Sequence, residues 1–452
     1  MHLSGRQVTS VRLNPFKSFI EGHELSIVNR EWPAPNSPLA TSHSPLTIRV
    51  PWSSSGYYLS ERPSFTFDPL FHAGCYYVQE ASSMFLEQAL KQTTDLSTPL
   101  KVLDLCAAPG GKSTLIQSLI SKESLLVSNE VIKSRAAVLE ENISKWGAAN
   151  VVVTNNDPGN FARLENYFDV IVIDAPCSGS GLFRRDATAI DEWSENNVEL
   201  CSQRQQRIIA DAWPSLKQDG ILIYSTCSYS VKEDEFILDW MIEGLKAEAV
   251  RLKVEAEWNI IETKAEKHPA YGYRCYPDKV NGEGFFIAAV QKKEGGSFEG
   301  FRSNKNNLEK ISKSEDALVQ PWLLQYADLI LFKQHDDIIA LPSVLQKEIP
   351  VLQSALYIKK AGVTIGKLAG KDFIPDHQLA LSGIVSKNIV TVSLNRQQAI
   401  QYLRKEEVQI ETSHKGWALV NYEGYHLGWI KALGNRVNNY YPKAWRILKT
   451  QP

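Results

Sequence analysis

The chain has 452 residues, 43% of them hydrophobic, with 49 lysines and arginines against 51 aspartates and glutamates for a net charge of −2. That length exceeds one ordinary domain and predicts two to four, and the apolar content excludes global disorder. A near-neutral balance excludes any argument for nucleic-acid binding from bulk charge; such contacts need local basic patches.

The start, MHLSGRQVTSVRLNPF, lacks the apolar run of a secretory leader. No stretch approaches the ~20 apolar residues of a membrane helix. The six cysteines, at 75, 106, 177, 201, 227 and 275, include no CxxC pair or His/Cys cluster at metal spacing. No disulfide framework and no metal site are therefore predicted, and reduced thiols fit a soluble, cytoplasmic protein.

Residues 1–75 hold short strand-like pieces (SVRLNP, LTIRV, YYLS) around a proline- and serine-rich loop from Pro33 to Pro45. YYVQEASSMFLEQAL then shows helical spacing of apolar residues after Gln79. From Leu100 to Lys292 strands alternate with helices, in the order KVLDLCA, GGKSTLIQSLISK, LLVSNEV, IKSRAAVLEENISKWG, NVVVTNND, FDVIVIDAP, QRIIADAWPSLK, DGILIYSTCS and GFFIAAVQK. This alternation predicts a doubly wound α/β sheet with a mainly parallel core. The polar, glycine-rich stretch Lys292–Glu315 reads as a linker. Beyond it DIIALP, LYIKKAG and VTIGKLAG read as short strands. The final segment from Thr391 carries a helix, NRQQAIQYLRKE, and strand-like GWALVNYEGYHLGWI. The expected division is 1–75, 76–292, 293–390 and 391–452.

VLDLCAAPGGKST reads as a strand, a tight turn and a helix start. Gly110 and Gly111 permit a sharp turn and close backbone approach to a ligand, beside the free amides of a helix N-terminus. Ala107, Ala108 and Pro109 break both the GxGxxG and the GxxxxGK[ST] patterns, which disfavours a nucleotide triphosphate. A smaller carboxylate suits these amides. Glu130, ending LLVSNE, can accept bonds from ribose hydroxyls, and Asp157, ending NVVVTNND, can face an adenine edge. Strand-end acids also commonly cap helices. Together these features favour S-adenosylmethionine.

Two further strands end in cysteine turns: Cys177 in VIDAPCSGSG and Cys227 in ILIYSTCSYS. Carbon 5 of cytosine is too weak a nucleophile to take a sulfonium methyl unaided. A thiolate added at carbon 6 makes the ring an enamine-like nucleophile, after which a base must remove the carbon-5 proton. A lone strand-end cysteine is more often an inert small hydrophobe, so two in matching settings carry the reading.

KVLDLCAAPGGKS, SNE, NND, DAPCSGSG and YSTCSYS, in this order and spacing, resemble the Sun/RsmF family of RNA cytosine-5 methyltransferases over residues 10–292. GFFIAAV resembles its closing strand. The resemblance implies an α/β, Rossmann-like class I methyltransferase domain with S-adenosyl-L-methionine as methyl donor. It implies Cys227 as nucleophile, Cys177 as the residue assisting product release, Asp174 beside the base and Lys112 pointing into the pocket. Cys106, Ala107, Ala108, Pro109, Gly110, Gly111, Lys112, Glu130, Asp157 and Asp174 match the family's cofactor positions.

By the same resemblance SVRLNP begins an RRM-like auxiliary subdomain, and GWALVNYEGYHLGWIKALGNRVNNYYPKAWRI belongs to a PUA-like module of α+β or β-barrel build. RNA contacts are expected from Arg184 and Arg185, where Ala187 replaces the family's usual proline. They are also expected from Tyr273, Arg274 and Lys279 in YGYRCYPDK, with Tyr271 and Tyr276 alongside. In the last module Lys431, Arg436 and Lys443, with Arg446, stand beside Trp429, Tyr440, Tyr441 and Trp445. The module favours 16S ribosomal RNA or the assembling 30S subunit as partner, and a monomer is expected. Transfer RNA methylation and a non-catalytic RNA-binding assembly factor remain alternatives. DNA cytosine methylation would make Cys177 the nucleophile and leave Cys227 idle. Amino-group methylation needs an Asp/Asn-Pro-Pro-aromatic turn that DAPC lacks.

Overall fold

The computed structural model describes residues 8–17, 32–33, 41–42, 48–185, 188–296, 298, 308–370, 372–434 and 436–449. Most of the predicted loop at 33–45, much of the predicted linker and Ala187 lie outside them.

The N-terminal sheet is antiparallel, with order β2-β3-β1-β4 for β1 (Thr9–Leu13), β2 (Ile48–Arg49), β3 (Gly56–Leu59) and β4 (Tyr76–Val78). The last of these lies past residue 75, so the sheet outruns the predicted first segment. Every residue of β1 is buried because both faces are covered. Alternation along the strand sends Val11 and Leu13 one way, into a core shared with Tyr402, Leu403, Val420 and Tyr441 of the C-terminal module. Ser10 and Arg12 turn the other way: Ser10 donates to the Gln79 carbonyl, and Arg12 reaches the catalytic domain.

That domain is built on five parallel strands: β5 (Lys101–Asp104), β6 (Leu125–Asn129), β7 (Val151–Thr154), β8 (Phe168–Asp174) and β9 (Leu216–Thr226). Their spatial order is β9-β8-β5-β6-β7. Runs such as VVV and VIVI suit strands buried on both faces. Val102, Leu126 and Val172 pack on one side with Leu90, Leu115 and Leu139, while Leu103, Val127 and Ile171 pack on the other with Ile209 and Leu238. Those partners come from α1 (Leu86–Thr93), α2 (Gly111–Leu119), α3 (Lys133–Trp146), α4 (Glu195–Ala212) and α5 (Glu235–Leu245). The helix predicted after Gln79 starts as a 3-10 turn at Ser82–Phe85 and becomes α only at Leu86.

Beyond β9 the sheet turns antiparallel. β10 (Ala247–Val250), β11 (Ile261–Lys264), β12 (Tyr271–Cys275) and β13 (Phe285–Lys292) follow, with β13 paired to β9. At the opposite edge Ile358–Ala361 pairs antiparallel with β7. This strand lies inside the segment predicted as a separate domain, so the catalytic sheet reclaims it.

The remaining strands of that segment, Glu309–Lys310, Leu329–Gln334, Asp337–Pro342, Val363–Ala369 and Asp372–Pro375, form a five-stranded antiparallel sheet. The last sheet joins Thr391–Ser393, Gly416–Tyr422, Tyr425–Ala432 and Val437–Asn439. Its central hairpin turns through Glu423 and Gly424, both at positive φ (50° and 84°), the geometry of a two-residue turn between twisted strands. Among the described residues no helix is long and apolar enough to cross a membrane.

Candidate active site

The strand order reverses between β5 and β8, so a crevice opens at their C-terminal ends, where such sheets bind ligands. The turn after β5 is tied from behind. The Ala107 amide donates to the Asn129 carbonyl (2.8 Å), Arg135 donates to the Ala108 carbonyl (2.8 Å) and Asn142 to the Pro109 carbonyl (2.8 Å). Gly110 sits at φ 116°, a conformation that strains any side chain. The first-turn amides of α2 beyond it have no intrahelical acceptor. Arg12, from the N-terminal sheet, braces this helix through the Thr114 hydroxyl (2.6 Å) and the Gly111 carbonyl (3.3 Å).

Asp104, the last residue of β5, is fully buried. One oxygen accepts from the Ser113 hydroxyl (2.6 Å); the other, Oδ1, has no partner among the described residues. Burial pushes this carboxyl up to about 7, against the pull of Ser113 and Lys112. The sequence reading passed over Asp104, although an acid closing a buried strand just before a glycine turn was the available signal. Glu130 is 3% exposed and accepts from the Ile132 amide (2.9 Å) while pairing with Arg135 (3.3 Å). Asp157 is exposed, caps Gly159 (3.0 Å) and pairs with Arg207 (3.0 Å). Cys106 contributes backbone to the turn; burial raises its thiol far above the usual range. Free amides, a strand-end carboxylate and an unpartnered buried oxygen make a donor set that fits S-adenosylmethionine.

The two cysteine turns meet beside this crevice. Cys177 Sγ lies 2.9 Å from Cys227 Sγ, in contact but beyond the ~2.05 Å of a disulfide, and both thiols are free. The Cys177 thiol is pushed well up, first by its hydrogen bond to Cys227, then by burial, then by the charges of Cys227 and Glu233. At neutral pH Cys177 is therefore a neutral thiol. Asp174 ends β8 with one oxygen accepting from Ser225 (2.9 Å) and the other paired with Lys112 (2.7 Å). The Lys112 ammonium also lies 5.1 Å from the Phe285 ring centre. Cys177, Cys227, Asp174 and Lys112 thus converge through three different strand ends.

The expected RNA contacts divide. Tyr273 is fully buried, its hydroxyl accepting from the Leu252 amide (2.6 Å) and donating to the Leu252 carbonyl (2.8 Å). Arg274 is 3% exposed and paired with Asp234 (2.9 Å) and Glu235 (2.5 Å). Both hold the fold together and are withdrawn from the RNA surface. The Arg184 side chain is 8% exposed, paired with Glu283 and donating to the Gly282 carbonyl (2.8 Å), so it too braces a loop. Arg185, Lys279, Arg436 and Lys443 are exposed, and Lys431 is half-buried over the Trp417 ring. Trp429 and Tyr441 are core residues, whereas Tyr440 is 40% exposed.

Comparison with known proteins agrees with this geometry. Residues 91–291 match the profile described as 16S rRNA methyltransferase RsmB/F. Residues 2–81 match the N-terminal domain of 16S rRNA methyltransferase RsmF, and residues 389–447 the RsmF PUA domain. The ribosomal RNA small subunit methyltransferase F of Vibrio atlanticus is 31% identical over 87% of this chain and 84% of its own length. That of Shewanella loihica is 29% identical over 98% and 92% respectively. A crystal structure of a methyltransferase homologue from Pyrococcus horikoshii superposes with a TM-score of 0.53 at 28% identity, covering 64% of this chain and 88% of that one. With both cysteine turns, the glycine turn and all three profiles in place, the chain belongs to the RsmB/F family of S-adenosylmethionine-dependent 16S rRNA methyltransferases.

Proposed function

We propose that this enzyme methylates carbon 5 of cytosine in 16S ribosomal RNA through a transient Cys227–base bond, acting as a monomer on the assembling small subunit. The contact between the two cysteine sulfurs at the crevice carries this reading. Family membership and the matched PUA domain support the choice of RNA.

S-adenosylmethionine, when bound, supplies an electrophilic methyl group. The first-turn amides of α2 would hold its carboxylate, Asp104 Oδ1 its ammonium, Glu130 its ribose and Asp157 its adenine amino group. The Cys227 thiolate adds to carbon 6, which moves electron density onto carbon 5. Asp174, fixed by Ser225 and Lys112, offers an acceptor and a nearby proton to the polar edge of the base. Once carbon 5 carries its methyl, its proton leaves to a base, the ring double bond re-forms and the sulfur–carbon bond breaks. Cys177, in contact with the departing sulfur, assists that last stage.

The test is methyl transfer to small ribosomal subunits isolated without prior methylation. Cys227→Ala is expected to lower turnover by more than about 10³-fold. Cys177→Ala, with Cys227 intact, is expected to accumulate an RNA–protein adduct that survives denaturing electrophoresis. Full activity in Cys227→Ala, or methyl transfer to DNA in preference to RNA, would overturn the proposal.

A further inference from the structure

A buried carboxylate outside the reacting set joins the two cysteine turns. Glu233 is fully buried and accepts four hydrogen bonds. One oxygen takes the Ser178 amide (2.8 Å) and the Gln205 side-chain amide (3.1 Å); the other takes the hydroxyls of Ser178 (2.5 Å) and Ser228 (2.6 Å). Ser178 directly follows Cys177, and Ser228 directly follows Cys227. One side chain thus grips the residue after each cysteine, although the two turns belong to different strands 50 residues apart.

The rest of the junction has the same character. The Gly181 amide donates to the Cys227 carbonyl (2.7 Å), and the Tyr229 amide donates to Ser180 Oγ (2.8 Å). A side chain on Gly181 would meet that carbonyl oxygen at 2.4 Å, so the backbones touch only because glycine stands there. The Glu233 backbone is held as well, its carbonyl accepting from the Tyr224 hydroxyl (2.6 Å).

We propose that Glu233 is a positioning residue that sets the spacing between Cys177 and Cys227 by clamping the serine after each one. This rests on the covalent mechanism above, yet the spacing can be read without any turnover. A misplacement of about 1 Å in a reacting group can lower rates by roughly 10²-fold. Glu233→Gln keeps the connectivity, because its carbonyl oxygen still accepts the two amides and its NH2 group can donate to the two serine oxygens. Glu233→Ala removes all four bonds.

The experiment treats the full-length protein with dibromobimane, which bridges adjacent thiols, and quantifies the Cys177–Cys227 bridge by peptide mass spectrometry. Glu233→Ala is expected to slow bridging at least about tenfold and to lower kcat about 10²-fold, with the KM for S-adenosylmethionine unchanged within twofold. Glu233→Gln is expected to restore most of both. Should Glu233→Ala not fold, Ser178→Ala and Ser228→Ala each remove one arm and are expected to slow bridging separately. Wild-type bridging in Glu233→Ala, or in both serine variants, would overturn the proposal. Because bridging reports only where the sulfurs stand, slowed bridging with Cys227→Ala still active would instead overturn the covalent mechanism and leave the clamp standing.

Discussion

Two segments of the catalytic domain carry equally suggestive side chains yet have opposite fates. The turns at 174–181 and 225–233 bring their polar groups to one crevice, with Asp174 held by Lys112 and Ser225 and the two sulfurs touching each other. The segment 271–279, with its tyrosines and cations, turns its central pair inward and leaves only its tip exposed. Tyr273 and Arg274 sit mid-strand on β12, point to opposite faces and are both buried because both faces are covered there; Lys279 lies past the strand end. Placement relative to strand ends, more than side-chain chemistry, separates the site from the scaffold.

Removing Arg274 is the strongest way to break this contrast. Arg274→Ala leaves Asp234 and Glu235 buried without their cation, and unfolding in urea is expected to show a loss of about 3–5 kcal/mol. A stable variant with selectively weakened RNA binding would return Arg274 to the RNA surface.

His377 sharpens the contrast from the other side, as a buried base with no partner. Neither ring nitrogen has a hydrogen-bond partner among the described residues, and the ring packs edge-on against Tyr441 and Trp445. Burial, followed by the charges of Lys145, Lys17 and Lys405, lowers its pKa to about 3, against about 6.5 when unfolded. The folded pKa is the lower one, so this contribution to stability is present above pH 6.5 and declines as pH falls toward 3. Between pH 7.5 and 5.5 the wild type is expected to lose about 1.4 kcal/mol more than His377→Phe. Parallel curves for the two proteins would show that the histidine is solvated.

The smallest effect belongs to the exposed tip. Lys279→Ala is expected to leave stability within about 0.5 kcal/mol of wild type. It is expected to reduce the salt dependence of RNA binding by about one phosphate contact, a log–log slope change of about 0.7–0.9. An unchanged slope would remove Lys279 from the RNA interface.

Much of the catalytic fold was legible because its strands are continuous apolar runs that end in glycine or cysteine turns, signals local to a few residues. The fate of Arg274 was not, since one of its partners, Glu235, lies 39 residues away and meets it only in the finished fold. Glu233 escaped for the same reason: an acid in SVKEDEF looks like any surface acid until Ser178 and Ser228 arrive around it. Ile358–Ala361 was legible as a strand but not as part of the catalytic sheet, because edge pairing depends on backbone groups that every sequence shares.

Val11 and Leu13 of β1 share one core with Tyr402, Leu403, Val420 and Tyr441, which joins the N-terminal sheet to the last module. The N-terminal region supplies Leu59, Phe65, Leu70 and Tyr76 to the same core, so that core is completed from both ends of the described chain. Losing the segment after residue 391 would expose the side of that core that Tyr402, Leu403, Val420 and Tyr441 line, so a shortened chain would show apolar surface at its N-terminal sheet.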